Sequence, residues 1–165
     1  IGSVTAEVID RSETTMLVIP ENNREYKPFD TVKNIAFLTN FDPRDIIALD
    51  DLLHIEIKLN RCVLSLVHIT DEHNRWDEIE LGGIKEYLTK KYPELTVEYD
   101  IVRSDVDFAE ALSGFVESKD IELITLTSYR RNLFARLFNP SIASRMVFQT
   151  DLPMLVINVD KNKKK

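Results

Sequence analysis

The sequence predicts a doubly wound α/β fold, and three observations carry this prediction. Apolar strand patterns alternate with helical patterns, as parallel strands joined by right-handed crossover helices require. The run NIAFLT at residues 34–39 is continuously apolar, as expected for a strand that helices cover on both faces. The third observation is an internal repeat, because residues 1–20 and residues 139–158 align without a gap at an offset of 138.

The repeat predicts how the chain is divided. Ser3 aligns with Ser141, and Met16–Ile19 aligns with Met154–Ile157, so each copy reads as a short helix followed by a strand. A repeat this far apart has the spacing of a whole domain, well beyond the roughly 20–50 residues of solenoid repeats. The predicted parts are the last helix and strand of a preceding domain (1–20), a linker (21–33), a complete domain (34–160) and a basic, solvated tail (161–165). The alternative is that residues 1–33 are disordered.

Composition and charge narrow the class of protein. The 165 residues carry a formal net charge of −7, whereas a nucleic-acid partner requires a basic face. Cys62 is the single cysteine, so an intrachain disulfide is impossible and a reducing compartment fits. No apolar run reaches the ~18–20 residues that span a bilayer, and no signal-peptide pattern opens the sequence. We expect a cytoplasmic protein with no nucleic-acid or membrane partner.

The first strand of the complete domain leads into a helix. Asp42 and Pro43 read as its N-cap and first helical residue, and Asp45 supplies a carboxylate to the first turn, where the helix dipole favours negative charge. The helix is predicted to run to about Leu59. Its buried stripe consists of Ile46, Leu49, Leu52 and Leu53.

The rest of the domain continues the alternation. Residues 61–70 read as the second buried strand, in which His68 is expected to be a hydrogen-bonded core or strand-end residue rather than a ligand or base. Residues 77–91 read as a helix that the pair Gly82-Gly83 interrupts. Its predicted inward residues are Ile79, Ile84, Tyr87 and Leu88. The elements that follow are an edge strand at 95–102, a helix at 105–119, a buried strand at 121–126, and the repeated helix and strand.

The candidate binding site lies at the carboxyl ends of the strands. In doubly wound sheets, ligands bind there at the point where the strand order reverses. Thr39 and Asn40 end the first strand of the domain, and they are expected to face the loop that starts at Thr127.

This loop is rich in arginine and has no glycine. Arg130 and Arg131, with Ser141 near the start of the final helix, offer an anion site built from side chains and a helix N-terminus. The alternative is a solvated basic loop. Thr127 and Ser128 have no base that the sequence identifies, and the three histidines lack a metal-ligand spacing, so we expect neither an enzyme nor a metal site.

Several stretches together resemble the universal stress protein family, in its tandem-domain form. TNFDPRD is similar to the family's first strand-to-helix turn, LSLVHIT to its second strand, ELITLTS to its fourth and DLPMLVINV to its last. The resemblance covers residues 34–159 and extends to residues 1–20. It implies a Rossmann-like sheet of five parallel strands in the order 3-2-1-4-5. It also implies that Thr14–Ile19 pairs antiparallel with Pro153–Val159, and that chains form homodimers or exchange domains through the last strand.

The chain departs from the family at the nucleotide-binding positions. The family's glycine motif, which wraps the ATP triphosphate and ribose, falls on Thr127, Arg130 and Pro140, and only its serine is kept, as Ser141. The acidic residue next to adenine falls on Asn40. The resemblance therefore implies a non-catalytic, regulatory or protein-binding domain with a degenerate nucleotide pocket, no expected cofactor and an unknown protein partner. The alternatives are an ATP- or AMP-binding module that uses the arginine-rich loop, and, less favoured, a nucleotide-handling enzyme.

Overall fold

A computed structural model describes residue 8 and residues 11–20, 27–55, 58–72, 74–104, 107–127 and 152–159. In these ranges the strands are β1 (Met16–Val18), β2 (Asn34–Leu38), β3 (Val63–Thr70), β4 (Thr96–Arg103), β5 (Leu123–Thr127) and β6 (Met154–Ile157). The α-helices of the same ranges are α1 (Arg44–Leu53), α2 (Arg75–Lys91) and α3 (Phe108–Ser118). Single 3-10 turns occur at Phe29–Thr31 and Leu59–Arg61. The predicted tail, the helix of the second repeat copy, most of the helix of the first copy and most of the arginine-rich loop lie outside the described residues.

The strands form one sheet in the order β1-β6-β5-β2-β3-β4. Neighbouring strands from β2 to β6 are parallel, and β1 is antiparallel to β6. Counted from β2, the parallel order is 3-2-1-4-5, as predicted, and β4 lies at an edge of the sheet, also as predicted. Because β2 pairs with β3 on one side and with β5 on the other, the strand order reverses between β2 and β5.

The two repeat copies meet where β1 pairs with β6. Met16 lies opposite Val156, Leu17 opposite Leu155, and Val18 opposite Met154. Leu17 and Leu155 are equivalent positions of the repeat, so the copies are related locally by a pseudo-two-fold at this pair. Asn158 extends the contact, because its side-chain amide donates to the carbonyl oxygen of Ser12 at 3.0 Å. The predicted antiparallel pairing is confirmed, over fewer residues than the sequence suggested.

Helices cover both faces of the sheet. On β2, Ile35 and Phe37 face a core that α1 and α2 complete with residues such as Leu49 and Leu88. Ala36 and Leu38 face the opposite core, which α3 completes with Leu112, Phe115 and Val116. Because its side chains alternate between two cores, β2 is apolar without interruption, and Ile35, Ala36 and Phe37 have no exposed surface.

The prediction for α1 was wrong at its end. The helix ends at Leu53, and Leu59 lies in a separate 3-10 turn. The backbone N–H of His54 is shared between the carbonyl oxygens of Asp50 and Asp51, and the N–H of Ile55 bonds the carbonyl of Leu52 at 3.1 Å. These tighter bonds satisfy carbonyls of the last turn and close the helix.

The prediction for α2 was wrong in two ways. The helix is continuous through Gly82 and Gly83, and it begins at Arg75, earlier than predicted. A capping box explains the start: the Asn74 side chain accepts from the N–H of Trp76 at 3.1 Å, and the N–H of Asn74 bonds the Asp77 carboxylate at 3.0 Å.

The inward face of α2 also differs from the prediction. Leu81 and Leu88 have no exposed surface and set the side that faces the sheet. Ile79 is 53% exposed and Tyr87 is 37% exposed, so these two predicted core residues lie on the outer side. Apolar residues occur on both sides of this helix, and packing against the sheet selects the leucines.

A carboxylate secures the amino ends of the two central strands. Glu122, just before β5, accepts hydrogen bonds from the backbone N–H groups of Lys33 at 2.5 Å and Asn34 at 3.4 Å, and from the ammonium of Lys27 at 2.5 Å. Burial opposes ionisation of Glu122, but these donors prevail and lower the pKa of its carboxyl group. The ionised side chain thus fastens β5 to the start of β2.

We predict that Glu122→Gln lowers the free energy of unfolding at pH 7 by about 1–2 kcal/mol, because charge-assisted hydrogen bonds are lost. The pKa of Glu122 is lower in the folded than in the unfolded state. Its contribution is therefore complete above about pH 4.3, the usual glutamate value, and is lost as the pH falls through the folded-state pKa. Urea unfolding at a series of pH values should show that the difference in unfolding free energy between wild type and variant decreases as the pH falls. The exposed Glu117→Gln on α3 serves as control and should change stability little; an equal loss in both variants would contradict this role for Glu122.

Candidate functional site

The candidate site lies at the carboxyl ends of β2 and β5, where the strand order reverses. Thr39 follows β2 directly, and Thr127 is the last residue of β5. The two strands pair with Phe37 opposite Thr125, so two residues further on Thr39 and Thr127 end at the same level. The sequence predicted this proximity from the order of the strands alone.

A buried carboxyl group joins these two threonines. Asp45, in the first turn of α1, has no exposed surface, and Thr39 and Thr127 are 2% and 1% exposed. The hydroxyl of Thr39 donates to Oδ2 of Asp45 at 2.6 Å, and the hydroxyl of Thr127 donates to Oδ1 at 3.4 Å. One side chain of α1 thus connects the ends of both strands.

The turn between β2 and α1 delivers Asp45 to this position. Phe41 adopts a left-handed backbone conformation with φ of 68°, which is rare outside glycine, and its N–H bonds the hydroxyl of Thr39 at 3.0 Å. Asp42 accepts from the backbone N–H of Arg44 at 2.9 Å and from the Arg44 guanidinium at 2.7 Å through each oxygen. The predicted helix start was wrong by one residue, because Pro43 is the N-cap and the helix begins at Arg44, although the Asp42 carboxylate accepts from the backbone N–H of Arg44.

His68 lies beside this turn, on β3. Its Nδ1 is 2.9 Å from the carbonyl oxygen of Thr39, and because a carbonyl can only accept, Nδ1 carries the proton. The ring lies 4.5 Å from the ring of Phe41, centroid to centroid, and the residue is half-buried. His68 therefore has the position expected of a hydrogen-bonded strand-end histidine, and it bonds the backbone of Thr39, whose hydroxyl bonds Asp45.

The predicted site residues divide into two groups. Thr39, Asn40 and Thr127 are described, and Asn40 is exposed immediately after Thr39. The others, Ser128, Arg130, Arg131, Pro140 and Ser141, lie outside the described residues.

Sequence reasoning missed the burial of Asp45. It identified this residue only as a carboxylate in the first turn of α1. Asp45 stands four residues before Leu49 and seven before Leu52, which places it on the buried face of the helix. A charged residue at core spacing was the signal that could have revealed the cluster.

The part of the chain that the structure describes offers no metal site, no reactive thiol and no membrane-spanning helix. No group of three or more His, Cys, Asp or Glu side chains there could hold a metal ion. Cys62 is buried, and burial, reinforced by the negative charge of Glu122, raises the pKa of its thiol to about 11, so it remains protonated at neutral pH. None of the described helices is long and apolar enough to cross a membrane.

Comparison with known proteins places the fold. No protein-family model and no curated protein matches the sequence. Among solved structures, a universal stress protein from Archaeoglobus fulgidus DSM 4304 superposes with a TM-score of 0.65 and 14% identity, covering 99% of this chain and 56% of that one. A universal stress protein in complex with cAMP matches with a TM-score of 0.55 and 12% identity, over 76% of this chain and 96% of that one.

A third match is the universal stress protein from Archaeoglobus fulgidus in complex with dAMP, with a TM-score of 0.51 and 14% identity over 78% of this chain and 98% of that one. The sheet, its order and the helices on both faces define a Rossmann-like α/β domain. More narrowly, the chain has the fold of the universal stress proteins. It spans 56% of the length of the first of these proteins.

We predict that Thr39→Val is more damaging than Thr127→Val, although both remove one buried hydroxyl from nearly the same shape. Thr39 makes a short bond to Asp45 and accepts from the N–H of Phe41, so its loss should cost about 2–3 kcal/mol of unfolding free energy. Thr127 makes one long bond, and its loss should cost about 0.5–1 kcal/mol. Urea unfolding of the two variants provides the comparison, and equal losses would show that the two bonds do not differ in the way their geometry indicates.

Proposed function

We propose that this domain is a non-catalytic member of the universal stress protein family, with a regulatory or protein-binding role and a degenerate nucleotide pocket. The observation that carries the proposal is the environment of Thr127. Its side chain is 1% exposed and donates to Asp45.

The position of Thr127 explains why this packed side chain opposes the binding of a phosphate in the manner of the family. In the family to which the sequence is similar, the first glycine of the phosphate-binding motif stands there. A glycine lets backbone N–H groups approach an anion closely. Here a side chain is packed and hydrogen-bonded at that point. Arg130 and Pro140 replace the other two glycines, and proline removes an amide donor.

The hydroxyl groups of the site support a non-catalytic role. A threonine nucleophile requires a general base that takes its proton. Thr39 and Thr127 donate to the carboxyl group of Asp45, but all three residues are buried, so a substrate does not reach these hydroxyl groups, and His68 directs its Nδ1 proton to a backbone carbonyl. These hydrogen bonds hold the ends of the strands together, so the polar groups that make them serve the fold. We infer a cytoplasmic location on the ground that Cys62 is the single cysteine of the sequence and a free thiol, which fits a reducing compartment.

A second candidate function is the binding of an adenine nucleotide such as ATP or AMP. The observation that favours it is that two of the matched universal stress proteins were solved in complex with cAMP and with dAMP. In this chain the ligand would be held by Arg130, Arg131 and Ser141 through arginine-phosphate bonds rather than through a glycine loop.

Calorimetric titration with ATP and Mg²⁺, and then with AMP, separates the two functions. We predict no saturable heat and no change in melting temperature at millimolar ligand, because the glycine positions are occupied by side chains. The positive control is the variant Thr127→Gly, Arg130→Gly, Pro140→Gly, which restores the family's motif and should gain affinity if it remains folded. Saturable micromolar binding by the wild type, lost in Arg130→Ala, Arg131→Ala, would establish the second function instead. Release of phosphate from ATP by the wild type would contradict the non-catalytic proposal.

We also propose that chains can associate by exchanging the first strand. Pairing of β1 with β6 involves three residue pairs, and β1 and β6 are the equivalent strands of the two repeat copies. A β1 strand from a second copy would make the same hydrogen bonds, as in domain exchange.

A double variant tests this exchange. Leu17→Cys and Leu155→Cys place two thiols on directly opposite residues of the antiparallel pair. Oxidation after refolding at high protein concentration should give chains linked to one another, whereas oxidation after refolding at high dilution should give intrachain bonds. Intrachain bonds at every concentration would rule out exchange.

A further inference from the structure

The same four residues, Met-Leu-Val-Ile, occur at the strand of each repeat copy, in two different environments. In β6, Met154–Ile157 is buried, and Val156 and Ile157 are 0% and 1% exposed. In the first copy, Met16–Val18 is only half-buried and Ile19 is 47% exposed. Because the side chains are identical, the difference in burial comes from what lies beside each strand.

The neighbours of the two strands account for this difference. β6 lies between β1 and β5, so it has a strand on each edge. β1 pairs with β6 on one edge and is the last of the described strands on that side of the sheet. Met16 and Val18 pack against one core of the sheet, and Leu17 packs against the other. Both cores therefore extend to β1, where they are incompletely covered.

The pseudo-two-fold between the repeat copies indicates what fits the outer edge of β1. Leu17 lies opposite Leu155, its equivalent in the repeat, so the local axis passes through this pair. On the other edge of β6, β5 runs parallel, with Thr125 opposite Leu155 and Leu126 opposite Val156. Rotation about the axis superposes β6 on β1, and it places an equivalent of β5 against the outer edge of β1, parallel to it.

Val8 adds a second apolar position to this region. It has a helical backbone, precedes β1 in the chain and is 53% exposed. In parallel sheets, a helix that precedes a strand packs its apolar side on the sheet that the strand belongs to. Further strands beside the outer edge of β1 would give this helix a surface on which to bury such a residue.

We propose that the outer edge of β1 binds a domain of the same fold, which precedes residue 1 in the polypeptide and which residues 1–20 complete as its last helix and strand. The equivalent of β5 in that domain pairs parallel with β1, and its two cores close over Met16, Leu17 and Val18. One sheet then continues through both domains across the pair of β1 and β6. This inference concerns an edge of β1 that neither the proposed function nor the exchange of β1 uses.

The chemistry of the edge favours this occupant. Its backbone groups are flanked by apolar side chains on both faces, so the strand that fits is itself apolar on both faces, as β5 is with all five residues buried. Edge strands that stay unpaired normally carry charges or proline, and Met16–Ile19 carries neither, since Pro20 follows the strand. A second copy of this chain has no such strand to offer, because its β5 is already paired with β2 and with β6.

An extended chain tests the inference. The repeat has an offset of 138 residues, so residues 34–138 placed directly before Ile1 would join residues 1–20 in the same way as they join residues 139–158 in the complete domain. The extension leaves all 165 residues of the present chain intact.

Amide hydrogen exchange, followed by mass spectrometry, reports on the edge. In the 165-residue chain we expect Met16–Ile19 to exchange faster than the identical residues Met154–Ile157, since only one edge of β1 is covered. In the extended chain the exchange of Met16–Ile19 should slow by about tenfold or more, because both edges are then paired.

Matched substitutions at the two equivalent isoleucines locate the contact. Ile157→Lys places a charge in the core and should lower the melting temperature of either chain by about 10 °C or more. Ile19→Lys should leave the melting temperature of the 165-residue chain unchanged, because the residue is exposed. In the extended chain Ile19→Lys should restore fast exchange to Met16–Val18.

A second extended chain controls for a poor fit between the joined segments. It consists of residues 34–158 followed by residues 21–165, so its first domain contains only the sequence of the complete domain. If the joined strand is protected in this chain and not in the first extended chain, residues 1–20 do not end a domain and the inference is wrong. If it is protected in neither, the edge does not accept a domain of this fold. Exchange of Met16–Ile19 that slows in the 165-residue chain as its concentration and sedimenting mass rise would assign the edge to a second copy instead.

Discussion

The hydrogen bonds from Thr39 and Thr127 to Asp45 hold the centre of this molecule together. β2 and β5 are the strands between which the chain reverses the direction of its crossovers, and only three residue pairs are in register between them. At their amino ends, Glu122 bonds the backbone at the start of β2; at their carboxyl ends, Asp45 bonds both strands. A carboxyl group at each end therefore secures a short parallel pair that backbone hydrogen bonds alone would hold less firmly.

This arrangement has a consequence for the site. In doubly wound proteins the carboxyl ends of the central strands are where polar groups point toward a ligand. Among the described residues at that place, the hydroxyl groups of Thr39 and Thr127 bond Asp45, and Nδ1 of His68 bonds the carbonyl oxygen of Thr39. Groups that are satisfied internally stabilise the fold, and they have to break those bonds before they can bind anything else.

Most of the fold could be predicted from the sequence, because its signals are local or repeated. The apolar run at residues 34–39 predicts a strand buried on both faces. The repeat and the family resemblance predict that Thr14–Ile19 pairs with Pro153–Val159, and the structure pairs Met16–Val18 with Met154–Val156. Two features could not be read in this way. Periodicity does not determine which side of α2 packs on the sheet, since Ile79 and Leu81 lie on two different apolar sides of the helix. The burial of Asp45 brings it against Thr127, which is 82 residues away in the chain and near only in the folded protein.

The outer side of α2 shows what a monomeric fold leaves unexplained. Water-exposed Trp76 and Ile79 contribute nothing to the core, and Gly83 weakens the helix that carries them. Both residues lie on the side of α2 opposite Leu81 and Leu88, so the described part of the chain leaves them in contact with water.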